Sequence, residues 1–550
     1  METNAGASIV HGGGHTAYRK HRDGGVIEPL ILAVTFSAAI LAAAPAIAVL
    51  ASLLSPFGDT IRHVITSRGA DYMFGTAALC LSVGLIAGSV GVAAALLTAL
   101  CEFPLRRFFS FALALPLAAP AYIAAYAYAD LLGPFGALAP LARAADMIGL
   151  PDIRSLPGAV FVLSMTLYPY AYLSARAAFA SRSASIIETA RTLGVSPFKA
   201  AIGLLIPATR PAIAGGVALI MMETAAEFGV ADYFGIPTLS VGIFRTWHSF
   251  GDLGAASQLA SALFLFALLL VGFEALGRRG RTADAPRTSS SALRYSMKGA
   301  ERAGAVLFCS LLILFGFAAP TAALAAKLDF SVWFYAGRGL WPALTNSISI
   351  AALGTAITLM AALLLSYIAR SAKSPATKTM IRIATLGYAI PGAVIAVGVL
   401  AVFSFISEMT GAKIWLLAGP VALLYAYAVR FITAGYNTTS GGLAQIDPGL
   451  DAAARTLGAS GRDIFTRIHA PLLRRSIVAA AIILAVDIVK ELPATLILRD
   501  FNFETLATRV YRLASDERLT EAAPDALMLI ALSAIPVFAL HALAERAPRA

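Results

Sequence analysis

Long apolar runs separated by short polar islands set the pattern of this chain. Twelve runs reach the roughly 20 apolar residues that a membrane span needs. Six lie in the first half, at about 29–54, 73–100, 107–131, 157–180, 209–229 and 255–276. Six lie in the second, at about 303–326, 343–369, 382–407, 414–436, 473–495 and 523–544. The pattern predicts an all-α integral membrane protein with about 12 transmembrane helices. It divides the chain into a polar tail (1–28), a first membrane domain (29–276), a linker (277–302) and a second membrane domain (303–550). The linker carries Arg, Ser, Thr and Pro without apolar periodicity.

Two of the polar islands repeat. Ser185 to Pro207 reads SIIETARTLGVSPFKAAIGLLIP, and Leu450 to Pro471 reads LDAAARTLGASGRDIFTRIHAP. Both contain A-R-T-L-G, and Gly194 and Gly458 stand 264 residues apart, each thirteen residues before a proline, Pro207 or Pro471. Each island predicts two short helices with a corner at the glycine, where φ > 0 is wanted. Ser185 with Glu188 fits a capping box opening the first helix. Ser196-Pro197 reads as an N-cap followed by proline at the first helical position. In the second copy Asp447-Pro448 opens the first helix, and Ser460 with Asp463 caps the next.

These islands resemble the cytoplasmic EAA loop of ABC importer permeases, E-A-A-x3-G-x9-I-x-L-P. The first copy matches at Glu188, Ala190, Gly194, Leu204, Ile206 and Pro207. The second matches at Ala453, Ala454, Gly458, Ile468 and Pro471; Ala452 stands at the leading acid, and Asp451 lies one residue early. In that family the loop is the coupling helix that sits in a cleft of the ATPase subunit. The resemblance therefore implies a type I permease fold, a separate ATP-binding subunit, as a homodimer with one copy per loop, and a periplasmic solute-binding protein. The stretches Glu223 to Trp247 and Asp487 to Glu517 are similar to permeases of ferric iron importers, in which two six-span halves are fused. Relatives in this subgroup carry thiamine, phosphonates or polyamines, which stay open as alternatives. The resemblance places the chain in a bacterial inner membrane.

Composition agrees with the membrane reading: 59% of residues are hydrophobic and 13% charged, with a net charge of +11. The Lys and Arg lie mainly in loops that a cytoplasmic N-terminus would put inside, with both repeated islands and both termini. They form no nucleic-acid groove, so no nucleic-acid partner is expected. Arg509, Arg512 and Arg518 fall on the outer side, where neighbouring acids balance them. Cys80, Cys101 and Cys309 have no metal-ligand spacing. His11 and His15, in HGGGH, are weak metal candidates in the polar tail. The apolar run 30–54 contains AAAPAIA but is too long and late for a cleaved signal peptide, and reads as the first span.

The halves overlay beyond the loops. Glu223 and Glu227 match Asp487 and Glu491 at the 264 offset, and Thr238 to Arg245 matches Thr505 to Arg512. The third spans share a mid-run proline, Pro120 and Pro391, and Tyr168-Pro169-Tyr170-Ala171 is laid against Tyr425-Ala426-Tyr427-Ala428. Equal orientation gives a parallel repeat about an axis along the membrane normal. Carboxylates at a bilayer centre cost about 2.5–3.5 kcal/mol or more. The spacing i, i+4 puts each pair on one helical face, facing a solute path or its outer gate. A salt-bridge reading, with Lys490 or Arg499 holding Glu491, stands beside it. Tyr122, Tyr126 and Tyr128 read as an interfacial belt, with ferric ligation as the lesser alternative.

No G-x-x-x-x-G-K-[ST] phosphate loop occurs, so the chain has no ATPase site of that kind, and no cofactor is expected. Neither G-x-S-x-G nor H-E-x-x-H is found, which leaves an embedded hydrolase without support. A secondary carrier driven by an ion gradient is the other transporter class that two parallel halves would fit.

Overall fold

The computed structural model describes residues 24–133, 136–140, 152–278, 294–372, 374–411 and 419–545. The HGGGH histidines and most of the linker lie outside them. Among the described residues nine helices are long and apolar enough to cross a membrane, or ten if one bent pair counts as a span. The first half supplies Pro29–Leu54, Asp59–Leu100, Leu156–Ser181, Ala201–Ala226 and Leu253–Ala275; the second supplies Gly299–Ala326, Gly339–Arg370, Gly392–Thr410 and Leu519–Pro536. Helices Pro420–Ala444 and Ala470–Val489 stand where the fourth and fifth spans of the second half were expected. They have the length of spans, but residues such as Arg430 and Asp487 leave them too polar to count by composition alone.

The third span of the first half departs from the continuous helix expected. Arg106–Ala118 and Ala121–Leu131 meet at 90°. Pro120, at φ −55° and ψ 138°, caps the second piece, and Pro391 does the same at φ −56° and ψ 144°. A short 3-10 turn precedes each, at Leu115–Ala118 and Gly387–Ala389. Proline removes a backbone donor and clashes with the carbonyl four residues back, so a helix reaching it must break. The prolines following the repeated loops act more gently. A π-helical turn, Ala201–Leu205 or Ile464–His469, lies just before Pro207 and Pro471, so the ladder widens where the proline cannot donate.

The backbone repeat is closely kept. Leu239 N–H donates to Thr76 Oγ1 at 2.9 Å, and its counterpart Leu506 N–H donates to Ser347 Oγ at 2.7 Å. One expected match is shifted. Gly91 packs on the backbone of Tyr168 and Tyr172 and on Ala171, whereas Gly435 packs on Ala362. The fourth helices therefore superpose at the same 264 offset as the loops, placing Ala171 on Gly435 and Thr166 on Arg430. The tyrosine-based match is two turns out of register; aromatic spacing misled it because those tyrosines face different neighbours.

The halves do not fold as separate bodies. Gly24–Ala51 packs along Pro375–Ala384 and Gly392–Thr410 of the second half, and Gly299–Ala326 packs on the bent third-span pieces of the first. Gly398 permits one crossing, since a methyl there would overlap the Pro45 carbonyl. Both large apolar cores accordingly mix side chains of both halves.

Candidate functional site

Both glycines of the repeated islands adopt the left-handed conformation, with φ +74° at Gly194 and +82° at Gly458. Around them the copies differ. In the first, one helix runs unbroken from Leu156 to Thr192, so Ser185 begins no new helix. The serine, alanine and charged residues there are good enough helix formers to carry the fourth span straight into the loop. Glu188 lies within that helix, and its side chain is outside the described ones. In the second copy the chain breaks at Gln445–Asp447; Asp447 then caps Pro448–Thr456, and Ser460 and Asp463 form a full capping box. Ser196 caps Pro197–Ala200 at 3.5 Å from Lys199 N.

At the tip of both corners a leucine points outward: Leu193 is 75% and Leu457 87% exposed. Ala190 and Ala454 are buried behind them, and Ala453 is exposed. Asp451, the displaced acid, is tied inward. Its carboxylate accepts from Arg370 Nε at 3.1 Å and pairs with His469 Nε2 at 2.8 Å. Partial burial pushes this carboxyl up, but the hydrogen bonds from Arg370 and His469 outweigh it and hold it below the usual carboxylate range. Beside Gly194, a mostly apolar cavity of about 1140 Å³ opens under Tyr295–Ser296, which pairs with Cys101–Glu102 and brings the end of the linker to the first loop.

All four carboxylates singled out in the sequence line one cavity of about 110 Å³ between the halves. It has room for several waters or one small, partly hydrated ion. The pairs do not share a helical face as the spacing suggested. The fifth helices end at Ala226 and Val489, and Glu227 and Glu491 sit just past them. Each caps the short helix that follows: Glu227 Oε1 accepts from Val230 N–H at 3.0 Å, and Glu491 Oε1 from Ala494 N–H at 2.8 Å. A carboxylate three residues ahead of a free helical N–H is a good cap, and that preference overrides continuation of the span.

Sequence reasoning missed the cavity's other residues. Pro120 and the bend it caps form one wall, with Tyr122, Tyr170 and Tyr388 around it and two cations, Arg430 and Lys490, opposite. Arg430 Nη1 meets Glu491 at 2.9 Å, and Lys490 meets Asp487 at 3.1 Å. These are not the pairings expected, since Lys490 turns to Asp487 and Arg499 donates instead to the Phe503 carbonyl. The tyrosines form no interfacial belt: Tyr122, Tyr126 and Tyr128 are 3%, 1% and 4% exposed, because the alanines alternating with them let neighbouring helices close over the rings. Among the described residues no three His, Cys, Asp or Glu side chains group closely enough to hold a metal ion.

Polar contacts join the halves at the end opposite Gly194 and Gly458. Tyr511 donates to Asp232 at 2.7 Å, Lys327 pairs with Asp130 at 2.8 Å, and Arg154 with Glu517 at 3.4 Å. Arg509, Arg512 and Arg518 are balanced by acids as the sequence suggested: Arg509 meets Asp525, Arg512 meets Glu504 and Arg518 meets Glu521.

A duplicated bundle of membrane-length helices, kinked at matched prolines around a polar cavity, is the architecture of a membrane permease. Residues 354–547 match the family described as binding-protein-dependent transport system inner membrane component. That match lies in the second half of the chain, and over most of its length the chain is similar to ABC importer permeases. It is 27% identical over 496 residues to the Fe(3+)-transport system permease protein FbpB 2 of Haemophilus influenzae, covering 88% of this chain and 91% of that one. It is 26% identical over 472 residues to a probable ABC transporter permease protein, y4fN, of Sinorhizobium fredii, covering 80% of each. A molybdenum transport system permease protein, ModB of Escherichia coli, is 26% identical over 200 residues, covering 35% of this chain and 86% of that one. These similarities are to ABC permeases and not to ion-gradient carriers.

Proposed function

We propose that this chain is the transmembrane subunit of an ATP-driven importer of ferric iron, worked through its two repeated loops. The observation that carries the coupling part is the pair of corners at Gly194 and Gly458, each with a left-handed glycine and an outward leucine. A largely exposed leucine on a rigid turn is an anchor for a partner, and burying one contributes about 1.5–3 kcal/mol. Two equal anchors suit a homodimeric ATP-binding subunit facing the cytoplasm, with both termini on that side. Closure of that pair on ATP would push Leu156–Thr192 and Pro448–Thr456 as levers and rock the halves. The first loop is the stiffer lever, being continuous with its span.

The iron assignment is supported by the relative that covers most of the chain. It is also supported by a cavity in which four carboxylates face two cations, which would repel an anionic solute. The chain should be purified with its ATP-binding subunit and reconstituted with the cognate binding protein. ATP-dependent uptake of radioactive iron, lost in Leu193→Glu/Leu457→Glu together with co-purification of the ATPase, is the expected result. Retention of the ATPase by that variant would refute the coupling role.

A further inference from the structure

The two walls of the central cavity are unequal in charge. On the second-half wall each carboxylate has its own cation, Asp487 with Lys490 and Glu491 with Arg430. At the 264 offset the first half places Ala226 opposite Lys490 and Thr166 opposite Arg430, and both line the same cavity. Among the described residues Glu223 and Glu227 have no cation within ion-pair distance, and Arg430, bonded to Glu491, reaches Glu223 only electrostatically. Gly392 belongs to the same asymmetry: a methyl there would overlap the Arg430 guanidinium, and the first half carries Ala121 at that place. The second half has thus been fitted with a built-in cation and the room to hold it.

A second observation comes from the cavity's phenols. Tyr122 lines the cavity, and its hydroxyl, within the cavity wall, is buried with no hydrogen-bond partner among the described residues. A buried hydroxyl left unpaired forfeits free energy unless something in the cavity meets it. It lies within electrostatic reach of Glu227 and Glu491. Tyr388, beside Glu223, adds another oxygen. Carboxylate and phenol oxygens are hard donors, suited to a small, highly charged cation.

Resting on the transport reading above, we infer that Glu223, Glu227 and the Tyr122 hydroxyl form a transit site for a bare hard cation on the first-half wall of the central cavity. Arg430 and Lys490 keep the opposite wall neutral. Two carboxylates and a phenol fall short of the grouping that would hold a resident metal. That weakness is what passage needs, since a conducted ion must leave as readily as it arrives. The size of the cavity, about 110 Å³, suits an ion stripped of organic chelators.

The test uses the full-length permease in nanodiscs and Tb3+, a hard trivalent ion whose emission is sensitised by nearby tyrosine. Wild-type protein is expected to give tyrosine-sensitised emission that Ga3+ displaces. Glu223→Gln/Glu227→Gln should bind Tb3+ about a hundredfold more weakly, roughly tenfold per charge removed. Tyr122→Phe should dim the emission with a smaller loss of affinity. Glu223→Asp/Glu227→Asp, which keeps both charges, should retain binding and guards against a folding artefact. Equal emission from wild type and the Gln double variant means surface binding only and overturns the inference. In proteoliposomes with the ATPase, the Gln double variant should hydrolyse ATP but move no iron. If it imports iron like wild type, the transit site is wrong while the importer stands; if wild-type protein assembles with no ATPase, the importer reading itself fails.

Discussion

Arg430 offers the sharpest test of how the cavity is held together. Its side chain is 11% exposed and that of its partner, Glu491, 5%. Replacing Arg430 with Met keeps the volume and strands Glu491 as a buried charge, facing Asp487 and Glu223 across the same cavity. Breaking a buried pair in this way costs about 3–5 kcal/mol. Glu491 keeps its hydrogen bond from Ala494 N–H at 2.8 Å, so the lower end of that range is expected. Adding Glu491→Gln removes the stranded charge while leaving an amide oxygen for Ala494, and should recover all but about 1 kcal/mol. In a Cys101→Ser background a thiol-reactive fluorophore reads the unfolding directly, because Cys101 is partly exposed whereas Cys80 and Cys309 are fully buried. Arg430→Met should unfold at a clearly lower temperature than wild type or a control at the exposed Arg62. The double variant should return most of the way. If Arg430→Met unfolds like wild type, or if Glu491→Gln gives no recovery, the pair is not what neutralises this wall.

Other expectations follow from the same geometry. Gly194→Val or Gly458→Val places a β-branched side chain at φ +74° or +82°, costing about 1–2 kcal/mol locally; ATP-driven uptake should fall while membrane insertion persists, and unchanged uptake in both would count against the levers. Gly392→Ala should shift the Arg430 guanidinium and reproduce part of the Arg430→Met destabilisation in the same thiol assay. Because the Asp451 carboxyl is held below its ordinary value, its ties to Arg370 and His469 contribute in full above that ordinary value, about 3.9. They are lost as pH falls through the lowered folded value, so the effect of Asp451→Asn on hydrogen exchange over 447–470 should be an acceleration at neutral pH that fades as the medium is acidified through that value. Tyr511→Phe with Lys327→Ala removes two of the far-end ties between the halves; a cysteine at Ala226 should then become reactive to an impermeant thiol reagent added outside, and continued protection would exclude that end as the closed gate.

The sequence made the duplication, the spans and the two corners legible because each rests on local chemistry. A glycine before a serine or proline cap specifies its own turn, and both Gly194 and Gly458 adopt it. The four carboxylates could be picked out because charge is rare in apolar runs. Their surroundings could not. Whether Glu227 continues a helix or caps the next depends on the free N–H of Val230, and helical spacing is blind to that choice. The tyrosines at 122, 126 and 128 have the composition of an interfacial belt, and only the packing of neighbouring helices shows that they are core. The 90° bend at Pro120 was legible as a proline but not as an angle. The register of the fourth helices was lost because the eye aligns tyrosines, whereas the fold aligns the small residues, Ala171 and Gly435, at which helices touch.

A fused duplication permits what two identical subunits would not. The parts proposed to meet a symmetric engine have stayed alike: the corners at Gly194 and Gly458, the exposed leucines, and the π-turns before Pro207 and Pro471. The cavity walls, where the solute is proposed to pass, have diverged, with Thr166 against Arg430 and Ala226 against Lys490, and with Ala121 against Gly392 behind Arg430. A cavity lined by two copies of the first-half wall would carry four unpaired carboxylates, and the cost of burying them would rise with each. A cavity lined by two copies of the second-half wall would be neutral and offer a cation nothing. One wall of each kind leaves enough uncompensated charge to draw a cation in and enough fixed positive charge to let it go. On this reasoning the asymmetry belongs to the transport cycle, and symmetrising the cavity in either direction should cost uptake while leaving ATP hydrolysis in place.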